Sequence, residues 1–351
     1  MVKVLMVGPA RSVKGGISAV VNNYYTAGIE EKIELKYIET MEDGSKFHKL
    51  KVAVRAFRQY KKVLKDYSVV HIHMASDKSL CRKLPFIKLA KKRGKKLIIH
   101  QHGGNFEDFF YRFCNRSMRE YIGRILSTAD VMLVVAPHLK ILFGEIIGES
   151  KIVLFPNTLN APEQIEHDYS SAKLLFLGRL CKEKGIEELI MAARELKEEF
   201  PKLEVYLGGK WEDLSLKKQA DEYKDWILQL GWIGEKEKQK YLRECNIFVL
   251  PTYFEGLPVS LLEGMAYGCA CIASRVGGIP QILENGRNGI LISPKNVKEL
   301  KEAIKTLLDN PVLQQNLGRE AHLEIKNNYD LSSSMKKLLV IYGNLYNESK
   351  K

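Results

Sequence analysis

With 351 residues, 45% of them apolar, the chain is long for one domain and sufficient for two separate cores, which excludes a disordered or fibrous protein. The formal net charge is +13, and the excess lies in the first half: residues 1–160 hold 28 Lys and Arg against 14 Asp and Glu, the remainder 27 against 28. That half calls for an anionic partner, a membrane surface or a phosphate-bearing polymer; no recognisable reading module accompanies the charge, so nucleic acid is not expected.

The opening MVKVLMVG is too short an apolar run, before Gly8 and Pro9, for a signal-peptide core or a membrane span. It predicts a cytoplasmic protein whose N-terminus is its first buried strand. Short β-branched runs then alternate with amphipathic segments. In the first half they are Val2–Val7, Ile33–Ile38, Val69–His73, Lys96–Ile99, Val131–Val135 and Ile152–Phe155. In the second they are Leu174–Leu177, Glu204–Leu207, Ile227–Leu230, Ile247–Leu250, Ala270–Ala273 and Gly289–Ile292. Two sets of six predict two parallel sheets fed by βα units. Pro156 to Pro162 and the polar stretch to Ser171 predict an interdomain linker. After Asn327-Asn328 no strand follows. Apolar residues at helical spacing from Leu331 to Tyr346 predict a helix with a stripe to bury, and the first domain is the candidate surface. Cys81, Cys114, Cys181, Cys245, Cys269 and Cys271 are scattered, without a cluster to complete a zinc site, and are expected to be reduced packing residues.

Four segments carry candidate chemistry. Gly8 to Ser18 follows the first strand and opens a helix; it is not GxGxxG, which argues against a dinucleotide cofactor, but Gly15-Gly16 permits close backbone approach to a ligand. His100-Gln101-His102-Gly103-Gly104-Asn105 ends another strand at the same sheet edge. There His71, His73 and His100 fit strand-end packing, with His73 and Asn105 also the acceptor-side candidates. From Phe176 to Gly185 a strand end runs into a helix. Arg179 supplies a planar fork and Lys184 a mobile point charge, a pairing suited to a diphosphate, because cations at a helix start oppose its dipole unless an anion joins them. From Tyr253 to Gly268 a turn holds Glu255, Pro258 is expected at the first helical position, and Glu263 lies about two turns into the helix. The free N–H groups of such a helix start favour an anion at the sheet edge. Two glutamates eight apart would, alone, be an ordinary βα unit.

Taken with its flanks, Glu255 to Glu263 joined by Gly256-Leu257-Pro258 and followed by Ala266-Tyr267-Gly268 and Val276-Gly277-Gly278-Ile279-Pro280, the segment resembles the Glu-x7-Glu signature of family 4 glycosyltransferases. The resemblance covers nearly the whole chain and implies a GT-B fold: two Rossmann-like α/β domains facing a central cleft, with a C-terminal helix crossing back to the first. Residues 1–160 would form the acceptor-side domain, with 329–351 packing on it, and 161–328 the donor-binding domain. Glu255 would contact hydroxyls of the donor sugar. The backbone of Gly256, Leu257, Val259 and Ser260 would meet sugar or phosphate, and Glu263 the ribose. Arg179 and Lys184 would bind the diphosphate, Gly15-Gly16 would lie over the phosphates from the opposite wall, and His102 would sit beside the reacting sugar. Gln281 departs from the family, which usually has an acid after Gly-Gly-x-Pro.

The implied activity is metal-independent, retaining hexosyl transfer from a nucleotide diphosphate sugar, with UDP the default, to a hydroxyl of a glycan or lipid-linked acceptor. Such transfer belongs to cell-surface polysaccharide or glycoconjugate biosynthesis. No Asp-x-Asp stands at a strand end, so neither divalent metal nor cofactor is expected. A nucleotide-sugar epimerase on the same fold is the rival enzyme, and a non-catalytic lipid- or polymer-binding protein the rival of another class. Two basic stretches, Lys46 to Lys65 and Lys78 to Lys96, the latter with nine Lys and Arg against no acid, predict peripheral docking on the anionic inner face of the plasma membrane.

Overall fold

The computed structural model describes residues 1–163 and 167–350, so residues 164–166 of the expected linker and Lys351 lie outside the described residues. The chain divides into two compact units, Met1–Thr158 with Leu331–Lys351, and Leu159–Asp330.

The first unit holds β1 (Lys3–Gly8), β2 (Glu34–Glu39), β3 (Val69–Met74), β4 (Lys96–Gln101), β5 (Val131–Val134) and β6 (Ile152–Leu154), all parallel in the order β2-β1-β3-β4-β5-β6. Every residue of β3 is buried, as expected of a parallel strand covered on both faces. The second unit holds β7 (Lys173–Leu177), β8 (Glu204–Gly208), β9 (Ile227–Gly231), β10 (Ile247–Leu250), β11 (Ala270–Ser274) and β12 (Ile290–Ile292), in the order β12-β11-β10-β7-β8-β9. In this second sheet β7 and β10 are neighbours, and the chain winds outward from them in both directions. That reversal is a topological switch point, where the connections after two adjacent strands diverge and leave a crevice at their C-terminal ends.

The helices of the first unit include α1 (Gly16–Thr26), α2 (Lys46–Val63), whose start is capped by the Ser45 hydroxyl accepting from the His48 amide at 3.2 Å, and α3 (Lys78–Lys92). In the second unit α4 (Ile186–Lys197), α5 (Glu235–Glu244) and α6 (Val259–Ala266) flank the switch point. The last helix, α7 (Leu331–Glu348), returns to the first unit and buries Leu331, Met335, Leu338, Tyr342 and Leu345 there.

Away from the candidate site, the structure differs from the sequence expectation in three places. The segment expected as a polar linker is partly built into the fold: Asn157, Thr158 and Leu159 are buried, and the Leu159 amide donates to the Tyr329 carbonyl at 3.2 Å. The two strands of chain that pass between the units therefore run side by side. Of the cysteines, Cys81 is exposed and the other five are buried. The basic run on α3 is not a continuous solvated face. Lys83 is 1% exposed and lies on the buried stripe with Leu80, Phe86, Ile87 and Ala90. Lys91 is paired with Asp130 at 2.8 Å and Lys96 with Glu348 at 2.7 Å. The exposed amphipathic surface lies instead on α2, where Phe47 (79%), Leu50 (63%) and Val54 (44%) form an uncovered row beside Lys46, Lys51, Arg55 and Arg58.

Candidate active site

In the second unit, the loops leaving β7 and β10 meet because one residue allows it. Gly185 has φ +72°, and a Cβ on it would lie 2.0 Å from the Pro251 carbonyl oxygen. Only glycine tolerates both the left-handed backbone and that approach. The junction is held by the Tyr253 amide donating to the Glu183 carbonyl at 2.9 Å, and by the Thr252 hydroxyl donating to the same oxygen at 3.2 Å. As a result Lys184 and Glu255, 71 residues apart, form an ion pair with side chains 14% and 15% exposed. On its other side the Glu255 carbonyl rests on Gly277, φ +55°, where a Cβ would come within 1.8 Å. The Gly278 amide donates to the Gly256 carbonyl at 2.8 Å.

Arg179 follows β7 and Gly178; its side chain is 49% exposed and Nη1 donates to Glu212 at 2.8 Å. Pro258 is the N-cap of α6, with φ −72° and ψ 121°, not its first helical residue; Val259 and Ser260 occupy the first turn. The early amides of that turn have no acceptor within the helix and point along its axis toward the sheet edge. Glu263 lies further along α6, 17% exposed, and its Oε1 accepts from Lys238 Nζ of α5 at 2.5 Å. Burial holds the Glu263 carboxyl above the usual carboxylate range against the pull of Lys238. Burial also depresses the Lys238 ammonium, but Glu263 and Glu235 outweigh it and leave the net shift upward. Lys238 and Glu212 were not singled out from the sequence. Each lies on an element remote from its partner, and no local spacing marks it.

In the first unit Gly15 and Gly16 are exposed, at the N-cap and first residue of α1, and a Cβ on either would meet nothing within 4 Å. The four strand-end histidines converge on one face of β3 and β4, since alternate residues of a strand share a face and His73 is in register with His100. His102 Nε2 and His73 Nδ1 are 2.9 Å apart. Burial pulls the His102 imidazole down to about 3, against a hydrogen bond to the Asn157 side chain that raises it, so the ring is neutral near pH 7. The acceptor-side expectation for His73 needs correction: it is 0% exposed beneath His102, and its route to a ligand is through that ring. Asn105 is half-buried, at the N-cap of a short turn Phe106–Asp108.

These features define a two-domain protein of the GT-B fold whose second unit gathers paired cations and carboxylates at its switch point. Residues 158–324 match the family model for glycosyl transferases group 1. An uncharacterized glycosyltransferase of Methanocaldococcus jannaschii is 30% identical over 75% of this chain and 71% of its own length. The chain belongs to the group 1 glycosyltransferases. The N,N'-diacetylbacillosaminyl-diphospho-undecaprenol alpha-1,3-N-acetylgalactosaminyltransferase of Campylobacter jejuni is 30% identical over 60% of this chain, which spans 54% of that relative. Among solved structures, Anabaena Alr3699/HepE in complex with UDP and glucose superimposes with a TM-score of 0.75 at 14% identity, covering 98% of this chain and 100% of that one.

Proposed function

We propose that the protein is a retaining, metal-independent family 4 hexosyltransferase, with Glu255 and Glu263 as its Glu-x7-Glu pair. It takes the sugar of a UDP-sugar and places it on a hydroxyl of a glycan or lipid-linked acceptor in polysaccharide or glycoconjugate biosynthesis. The observation that carries the reading is the Lys184–Glu255 ion pair where the loops leaving β7 and β10 meet, with Arg179 on the first of those loops and α6 opening after the second. A diphosphate there would meet a planar fork, a point charge and a helix start, the three donor types that suit it.

In the reaction, the bond from the sugar C1 to the diphosphate oxygen breaks with its electron pair leaving on UDP. The acceptor oxygen bonds C1 on the same face, and the acceptor proton passes to the departing phosphate oxygen. Arg179, Lys184 and the α6 amides absorb the charge that develops on the leaving group, an effect worth several kcal/mol when the donors are already in place. Glu255 would contact the sugar hydroxyls and Glu263 the ribose; His102, neutral, is the first unit's candidate for orienting reacting hydroxyls. Belonging to a transferase family favours transfer over epimerisation.

The lipid-linked acceptor is supported by the diphospho-undecaprenol acceptor in the Campylobacter relative's name and by the uncovered row on α2 with its basic flank. That helix suits peripheral attachment to the cytoplasmic face of an anionic membrane. No described helix is long and apolar enough to cross one. The test is a thermal-shift panel of nucleotide sugars, followed by initial transfer rates in excess EDTA. A UDP-sugar at 100 times its Kd stabilises the protein by about 2.7 kcal/mol. Silence across the panel, or a complete, magnesium-reversible loss of rate, overturns the reading.

A further inference from the structure

We propose that His71, His73 and His100 form a buried site for a first-row divalent transition metal, zinc being the default, inside the first unit. One ring nitrogen from each lies within 4.8 Å of the others, and all three residues are at most 1% exposed. A tetrahedral ion about 2.0–2.1 Å from each nitrogen wants them about 3.3 Å apart, so ring rotations of roughly an ångström close the set.

The polar atoms around the cluster are arranged as a ligand set needs them. His71 Nδ1 is 2.6 Å from the Tyr342 hydroxyl of α7, and His73 Nδ1 is 2.9 Å from His102 Nε2. With the proton on Nδ1, each ring donates to that partner and leaves its Nε2 lone pair free for a ligand. Those two Nε2 atoms, and both nitrogens of His100, are buried without a hydrogen-bond partner among the described residues. Buried polar atoms are rarely left so, and packing alone supplies no reason for four of them in one place. Metal-ligating histidines, by contrast, characteristically donate their second N–H to a fixed acceptor.

The ligand chemistry selects the ion. Three imidazoles with no carboxylate among them suit zinc, copper, nickel or cobalt and not magnesium or calcium. The site is therefore separate from the diphosphate chemistry proposed for the second unit and stands or falls without it. The three ligands are neutral, and a water or hydroxide would complete a four-coordinate set. Because His73 also bonds His102, the ion would fix the ring that faces the reacting sugar in the proposed mechanism.

The test uses the full-length chain without an affinity tag, refolded with zinc, with cobalt or in chelator, then gel-filtered. Expected are one equivalent of zinc by elemental analysis, a Tm several degrees above the chelator-refolded protein, and a visible d–d spectrum with cobalt free of thiolate charge-transfer bands. His71→Asn and His100→Asn should each lose the metal; where either fails to fold, the cobalt spectrum of the wild type decides. Metal well below one equivalent with no Tm shift, thiolate bands that put the ion on a cysteine, or stoichiometric zinc retained in both variants overturns the site.

Discussion

Replacing Lys83 by Met should stabilise the protein, and the size of the effect can be worked from its surroundings. Lys83 Nζ donates to the Thr40 hydroxyl at 2.5 Å, and that hydroxyl donates to the Gly8 carbonyl at 2.8 Å. Burial, with a smaller contribution from Arg82, pulls the ammonium from 10.5 down to about 7. Each pH unit of displacement is worth about 1.36 kcal/mol. The buried lysine therefore costs the fold on the order of 4 kcal/mol at pH 7. Between pH 7 and 10.5 the unfolded chain holds a proton that the folded one has released, so wild-type stability rises with pH across that window. Below pH 7 both forms are protonated and the cost is at its full value. Methionine keeps the length and removes the charge, while forfeiting one hydrogen bond of about 1–1.5 kcal/mol. The expected net gain is about 2–3 kcal/mol at pH 7 or below, shrinking by roughly 1.4 kcal/mol per unit as pH rises toward 10.5. Urea unfolding of both proteins at pH 6.5, 8 and 9.5 measures it. A less stable methionine variant at pH 6.5, or a difference that does not change with pH, would refute the reasoning.

Three further outcomes are expected. Arg179→Ala and Lys184→Ala should each lower kcat/KM by roughly 30- to 1,000-fold, the equivalent of 2–4 kcal/mol of lost leaving-group stabilisation; circular dichroism checks the fold, and activity within a few-fold of wild type for both would sink the assignment. Glu255→Gln should bind UDP about three- to tenfold more tightly, by calorimetry, because Lys184 is released from its partner, while turnover of the UDP-sugar falls. Equal weakening of both would show that the carboxylate does not compete with the diphosphate. Cosedimentation with anionic vesicles at low salt should fall at least tenfold when Lys51, Arg55 and Arg58 are changed to Gln, at ~1 kcal/mol per charge; binding indifferent to lipid charge or to these changes would rule out α2 as the docking face.

The central strands were legible because a parallel strand covered on both faces needs an unbroken apolar run, as β1 and β10 have. The position of Lys83 was also legible. Leu80, Lys83, Phe86, Ile87 and Ala90 repeat at helical spacing, which places the lysine on the buried stripe, although the density of charge along the segment masks that period. The histidine cluster had a signal too: His71 with His73, and His100 with His102, each alternate along a strand and must share a face. What the sequence could not supply was which strands are neighbours. That adjacency brings the two pairs together, as it does Lys184 and Glu255, whose meeting depends on the left-handed turn at Gly185 and the approach of Pro251.

The charge pattern at the β7/β10 crevice has a functional logic of its own. Arg179, Lys184 and Lys238 each have a carboxylate partner: Glu212, Glu255 and Glu263. A cation that pairs only with ligand would be left half-buried and uncompensated in the empty protein, at a cost in stability. A cation already paired incurs less of that cost but must exchange partners when a diphosphate arrives. The exchange frees the carboxylate. Once Lys184 turns to phosphate, Glu255 is left as a bare acceptor beside the position its sequence motif assigns to the sugar, and hydroxyl donors are what it then lacks. UDP alone would release Glu255 without satisfying it, whereas a UDP-sugar brings phosphate and hydroxyls together. For the proposed reaction the pairing would thus favour the intact donor over the spent nucleotide, and release of UDP after transfer would be assisted by the same Lys184–Glu255 contact re-forming behind it.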